Sequence, residues 1–122
     1  MTDYPLPWPP SVNTYWRHPT RGALAGRTLI SEKGRAYRLA VASALQVNNL
    51  TKYVSRVCLS IYAYPPDKRR RDLDNILKAL LDGMVHAGVL EDDSLIDELH
   101  VFRRPPIPGG RVLVTIKEIG LG

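Results

Sequence analysis

The amino-acid sequence predicts an α/β protein of the α+β type: a single mixed β-sheet with two main helices, in the order β-α-β-α-β-β. Three observations carry that expectation. Residues 54–64, "VSRVCLSIYAY", alternate: Val57, Leu59, Ile61 and Ala63 face one way, while Arg56, Ser60 and Tyr62 face the other, as in a strand with one face in a core. Residues 31–49 and 75–87 instead repeat apolar side chains at helical spacing. Residues 96–104 and 111–119 read as two more strands, joined by "PPIPGG" as a hairpin-like connection. With 122 residues and no internal repeat or long linker, the chain is expected to be one domain spanning 1–122.

In chain order, a first strand is expected in residues 3–8, where "PWPPS" ends it because successive prolines remove backbone donors. Residues 11–30, "SVNTYWRHPTRGALAGRTLI", lack sustained periodicity and carry Gly22 and Gly26, so they are expected to form a long, cationic, partly mobile loop. Ser31 is the expected N-cap of the first helix, with Glu32 favourable in the first turn. That helix places Ala36, Leu39, Ala40, Ser43, Ala44 and Val47 on one side and is expected to end at Asn48 and Asn49. Pro65 and Pro66 stop the central strand. The second helix presents Ile76, Leu77, Leu80, Leu81, Met84 and Val85 to the core, and Gly88 is the left-handed residue past its end. Beside that face Ala79, Gly83 and Ala87 recur every four residues, a small-residue stripe that permits close approach of another element such as a partner subunit. The plainer account is that alanine is a good helix former.

Composition removes several function classes. Apolar runs are short and broken by charges, so no membrane span fits, and "MTDYPLPWPP" is not a secretion leader. Cys58 is the only cysteine, which rules out an internal disulfide framework and fits a reducing cytoplasm. His18, His86 and His100 lack zinc-ligand spacing, and no glycine-rich loop matches a phosphate-binding fingerprint. "DLDNIL" starts like a calcium loop but has Leu77 where the tight-turn glycine belongs. The net charge of +5 draws polyanions. Yet eight of the 12 acidic residues fall within residues 72–98, so a basic protein has gathered its carboxylates in one segment.

That segment begins at "DKRRRDLDNILK", where Lys68, Arg69, Arg70 and Arg71 precede Asp72 and Asp74. If Asp72-Leu73-Asp74 is extended, both carboxylates share a face and Leu73 points to the core. Asp74 is then the helix N-cap, with Lys78 four residues on along the same face and Asp82 continuing the stripe. Capping alone explains aspartates here. However, two carboxylates about 4 Å apart repel by roughly 4 kcal/mol at an effective dielectric near 20. A divalent cation relieves that, and Mg²⁺ is commonly held by one or two carboxylates together with water and phosphate oxygens. The later cluster "EDDS" reads as an exposed acidic turn that can return toward the pair, and spacing does not choose among Glu91, Asp92 and Asp93.

"LPWPPSVNTYWRH", "RRRDLDNILKALLDGMVHAGVLEDD" and "GGRVLVTI" resemble, in the same order, the RusA family of Holliday-junction resolvases. The resemblance implies a homodimeric, Mg²⁺-dependent endodeoxyribonuclease, with Mn²⁺ as a substitute ion, that binds four-way DNA junctions and nicks two strands symmetrically in recombination and repair. It implies a bacterial or phage-infected cytoplasm. Its essential acids fall on Asp72, Asp74 and Asp93, and its helix lysine on Lys78; Arg71 and Asn75 also match. Here "EDD" replaces the family's "DD" context, which keeps Asp92 as a rival to Asp93. On this reading Lys78 stabilises transition-state charge, while Lys68, Arg69, Arg70, Arg71, Asn75 and Arg17 meet phosphates. Trp16 and Tyr15 stack on unpaired bases or, equally, pack against the proline-rich start. Two rivals remain: a non-catalytic basic DNA-binding module, and a nuclease acting on flaps or forks.

Overall fold

Strict alternation in the central segment produces the central strand. In a computed structural model, which describes residues 2–46 and 52–119, β4 (Val57–Tyr64) buries Val57, Leu59, Ile61 and Ala63 completely. Burial of Val57, Leu59 and Ile61 stabilises the fold by roughly 1.5–3 kcal/mol each, and of Ala63 by less. Strand β6 (Arg111–Glu118) lies antiparallel to β4 and buries Val112, Val114 and Ile116 on the same side. Strand β1 (Thr2–Leu6) adds antiparallel to β6, and β5 (Ile96–Arg103) adds parallel to β4. The sheet is therefore mixed, in the order β1-β6-β4-β5, so β5 and β6 flank β4 and the hairpin expected across "PPIPGG" is a crossover past β4 instead.

Two long helices, α2 (Glu32–Gln46) and α3 (Leu77–Ala87), complete one core with the buried side of the sheet. The element order departs from the expected one in residues 11–30, which are not simply a loop. They contain a single helical turn, α1 (Val12–Tyr15), and a two-stranded ribbon of β2 (Trp16–Arg17) with β3 (Leu29–Ile30). The pairing spans only two residues per strand, too short to leave a periodic signal.

Helix α2 is capped as expected, Ser31 Oγ accepting from Gly34 N at 3.0 Å. Its buried face differs from the expected one: Tyr37, Val41 and Leu45 are buried, while Ala36, Ala40 and Ser43 are exposed and Leu39 is 71% exposed. A tyrosine and two branched chains remove far more apolar area from water than a row of alanines, so the larger i, i+4, i+8 set turns inward. The Tyr37 hydroxyl is satisfied there, donating to the Pro7 carbonyl at 2.9 Å, and burial pushes its pKa up. Val47, Asn48 and Asn49 lie outside the described residues.

In α3 the expected core face is borne out, with Ile76, Leu80 and Met84 buried and Leu77, Leu81 and Val85 packed against them. Gly88 caps the helix in the left-handed conformation (φ 90°). Two members of the small-residue stripe serve this chain's own packing. Ala79 is wholly buried, and a Cβ on Gly83 would stand 3.3 Å from Val41 and 3.4 Å from Tyr37 of α2. Among the described residues, no helix is long and apolar enough to cross a membrane.

Candidate active site

Prolines 65 and 66 end β4 and release the cationic run as a bend. Within it Asp67 organises the arginines: Arg71 Nη1 lies 2.7 Å from Asp67 Oδ1, and Arg69 donates from Nε and Nη2 to Oδ2 at 3.1 Å. These bonds, the one from Arg71 first, hold the Asp67 carboxyl well below the usual carboxylate range. Arg103 at the end of β5 donates to the Arg71 carbonyl at 2.6 Å, tying the bend to the sheet. Lys68 and Arg70 are exposed and make no such bond among the described residues. The run of four cations is thus two free charges and two held ones.

Asp72 is extended (φ −90°, ψ 135°), but Leu73–Ile76 form a 3₁₀ turn before α3 begins. Asp74 is therefore inside that turn and is not an N-cap. The continued extended backbone that would set Asp72 and Asp74 on one face is therefore absent. Leu73 does pack against the core. Arg70, Arg71, Asp72 and Asn75 line a cleft of about 260 Å³ whose other wall is Trp8, Pro9 and Ser11. The proline-rich start is thus a wall of the site as well as a strand terminator.

Beyond Gly88 the chain is fastened by a bridge between Tyr53 and Leu90 and by Arg56, which donates to the Ser94 carbonyl at 2.7 Å and pairs with Asp97 at 3.3 Å. Asp92 caps the 3₁₀ turn Asp93–Leu95, accepting from Ser94 N at 3.0 Å and from the Ser94 hydroxyl. The Ser94 hydroxyl and amide lower its pKa. Asp93 is exposed beside it, its side chain unengaged among the described residues.

This divides the aspartates into two groups. Asp3 accepts from Thr115, Asp67 holds Arg69 and Arg71, Asp82 holds Arg38, Asp92 holds Ser94 and Asp97 holds Arg56. Only Asp72, Asp74 and Asp93 have no side-chain partner among the described residues. All three are exposed. Among the described residues no three His, Cys, Asp or Glu side chains stand close enough to hold a metal ion, so the expected convergence of these acids on one point is not in place. The donor chemistry nevertheless suits a hard cation such as Mg²⁺, which takes few protein carboxylates and completes its shell with water and phosphate oxygens.

A family model described as Endodeoxyribonuclease RusA matches residues 7–117. The chain belongs to the RusA endodeoxyribonuclease family. The crossover junction endodeoxyribonuclease of Enterobacteria phage HK97 is 46% identical over 115 residues, covering 93% of this chain and 92% of that relative. Those of Enterobacteria phage 82 and Escherichia coli K12 are 42% and 41% identical over 116 residues, each covering 94% of this chain and 92% of the relative.

On this RusA-family chain, Lys78 is exposed at the second position of α3, with Nζ 5.9 Å from the Trp16 ring centroid. Trp16 is partly exposed and Arg17 exposed, both on β2. Tyr15 is wholly buried, which removes it as a base-stacking residue. Sequence reasoning overlooked Asp67, Arg56, Arg103 and Arg104. Arg103 and Arg104 border the same surface as Lys68 and Arg69; the adjacent pair at a strand end was the available signal.

Proposed function

We propose that this protein is a metal-dependent endodeoxyribonuclease that resolves four-way DNA junctions by paired, symmetric nicks. The observation that carries the reading is the cleft where Asp72, which has no side-chain partner among the described residues, stands with the cations Arg70 and Arg71, in a chain that matches the RusA family over residues 7–117. Asp72, Asp74 and Asp93 do not converge as they stand, and would hold Mg²⁺, or Mn²⁺ in its place, only once drawn together; the ion would then supply Lewis-acid activation and offset the charge of carboxylates facing phosphate.

The chain's own residues do the rest. Lys78 meets negative charge developing at the scissile phosphate. Lys68 and Arg70 hold flanking phosphates directly, while Asp67 competes with phosphate for Arg69 and Arg71. Asn75 donates from the cleft wall, and Arg17 with the open face of Trp16 meets the strand arriving past β2. A two-fold homodimer presents two such sites to a junction needing two cuts. The setting is the cytoplasm of a bacterial or phage-infected cell.

The deciding experiment is a cleavage gel comparing a synthetic four-way junction, a flap and a linear duplex at matched salt, with and without Mg²⁺. Paired nicks in the junction alone, lost on chelation and restored by Mg²⁺, are expected. Binding without cutting under all conditions would leave only a DNA-binding module, and faster cutting of flaps would change the substrate.

Asp67 gives a separate expectation. Asp67→Asn should release Arg69 and Arg71 toward phosphates, raising duplex affinity at low salt. The slope of log K against log[salt] should steepen by about 0.9 for each further phosphate neutralised. Anisotropy titrations across a salt series measure it. A shallower slope would mean that Asp67 arranges the two arginines for binding and does not compete with DNA for them.

A further inference from the structure

Tyr15 and Trp16 are adjacent, but only one of them reaches the surface. Tyr15 is wholly buried, and its hydroxyl donates to Asp82 Oδ2. Arg38 of α2 closes the group: its Nε stands 3.1 Å from the Tyr15 hydroxyl and 2.9 Å from Asp82 Oδ2, and its Nη2 is 2.9 Å from that same oxygen. Burial, then the Asp82 hydrogen bond, push the Tyr15 phenol up to about 12, so it is a neutral donor near pH 7. The backbone is pinned too. The Tyr15 carbonyl accepts from Ser31 N at 2.9 Å. A Cβ on Gly34 would stand 2.6 Å from that carbonyl oxygen, so α2 closes on it only with glycine there.

Trp16 leaves this anchor extended (φ −105°, ψ 155°), its ring edge-on to Tyr15 with centroids 4.9 Å apart. Its face lies toward Lys78 Nζ, 5.9 Å away. Lys78 and Asp82 are four residues apart on α3, hence one above the other. Successive residues of the incoming segment therefore meet successive turns of the helix: Trp16 meets Lys78, and Tyr15 meets Asp82.

We propose that Tyr15, Arg38 and Asp82 are a clamp that holds the Trp16 indole against Lys78, making all four residues positioning residues for that lysine. The inference rests on the reading of Lys78 as the group that meets charge at the phosphate. A lysine is a point charge on a flexible four-carbon stem, with no planar fork to fix its direction. Tryptophan is the aromatic ring that attracts a cation best, but it directs the ammonium only if the indole itself is fixed. Trp16 packs against the core with only part of its surface, and Lys78 is exposed.

The test uses the full-length protein labelled with 5-fluorotryptophan. Its two tryptophans give two ¹⁹F resonances, and Trp16→Phe identifies the one that belongs to Trp16. Asp82→Asn and Tyr15→Phe should move or broaden that resonance while leaving the Trp8 signal in place. Both should slow single-turnover junction cleavage at saturating protein about tenfold, beyond any weakening of junction Kd from the displaced Trp16, as expected for a displaced catalytic group. Trp16→Leu should slow cleavage as much, and Trp16→Phe should recover most of the rate. Asp82→Asn added to Trp16→Leu should slow it no further, because both act through one lysine.

A full additional loss in the double variant, or wild-type cleavage in Asp82→Asn with the Trp16 resonance displaced, overturns the clamp. If Asp82→Asn does not fold, Tyr15→Phe, which removes one oxygen atom, decides instead. If the wild-type protein cuts no junction, the nuclease reading fails separately and the resonance decides. Displacement in the clamp variants sustains the anchoring of Trp16, and an unmoved signal overturns it.

Discussion

Asp74→Asn is expected to abolish junction cleavage while junction binding persists or tightens. Asp74 sits in the first turn of Leu73–Ile76, exposed, with no side-chain partner among the described residues. Its carboxylate therefore holds nothing in place, and the change to an isosteric amide costs the fold only the interaction with the turn's N-terminus, about 0.3–1 kcal/mol. Its effect on chemistry is far larger. Removing a single charge-stabilising group from a nuclease-type site costs on the order of 10²–10³ in rate, and loss of an acid that both ligates and neutralises belongs at or beyond the upper end. Binding moves the other way. A carboxylate about 8 Å from a phosphate repels it by roughly 0.5 kcal/mol in water before salt screening, so its removal tightens binding about twofold. Cleavage assays alongside gel-shift measurements in the same buffer separate the two effects. Retained cleavage in Asp74→Asn removes it from the catalytic set; lost cleavage with lost binding makes it a DNA contact or a structural residue.

The parts of this molecule that are legible from sequence are those in which one force dominates. Val57, Leu59, Ile61 and Ala63 alternate because burial on one face outweighs all else in β4, and Gly88 ends α3 because few other residues take a positive φ cheaply. Where two weak preferences compete, sequence misleads. Helix α2 offers an alanine-rich side and a Tyr37-Val41-Leu45 side at the same period, and periodicity cannot rank them; the volume of the side chains does. The motif favours Asp74 as a helix N-cap, but the chain takes a 3₁₀ turn first, a choice of a few hydrogen bonds that leaves no residue signature. The stripe of Ala79, Gly83 and Ala87 does mark a close approach at Gly83, and the element that arrives there is α2, which the sequence pattern does not name. The site divides the same way. The motif draws attention to Asp72, Asp74 and Lys78, whereas the pairing of Asp67 with two arginines depends on a bend after Pro66 that only three-dimensional placement reveals.

The contrast between two neighbouring acids gives the other large effect. Asp93→Asn should cost as much cleavage as Asp74→Asn, on the order of 10³-fold, while Asp92→Asn should stay within about threefold of wild type. The reasoning turns on what each oxygen is doing. Asp92 spends its carboxylate on Ser94 N and the Ser94 hydroxyl at the start of Asp93–Leu95. Asparagine caps about as well as aspartate, through the same side-chain oxygen, so Asp92→Asn keeps the turn. The Ser94 bonds lower the Asp92 pKa. The cap's contribution is therefore fully present above the ordinary aspartate value near 3.9 and is lost only as pH falls through the lower folded value. At the neutral or alkaline pH of a cleavage assay the cap is intact and Asp92 stays committed to it. Asp93, one residue on, is carried by that turn with a free carboxylate, on a loop fastened by Arg56 to the Ser94 carbonyl. If the two variants exchange behaviours, with Asp92→Asn inactive and Asp93→Asn active, the capping bond must break when DNA binds and the third acid is Asp92. If both remain active, neither acid of this loop joins Asp72 and Asp74, and the chemistry is confined to the start of α3.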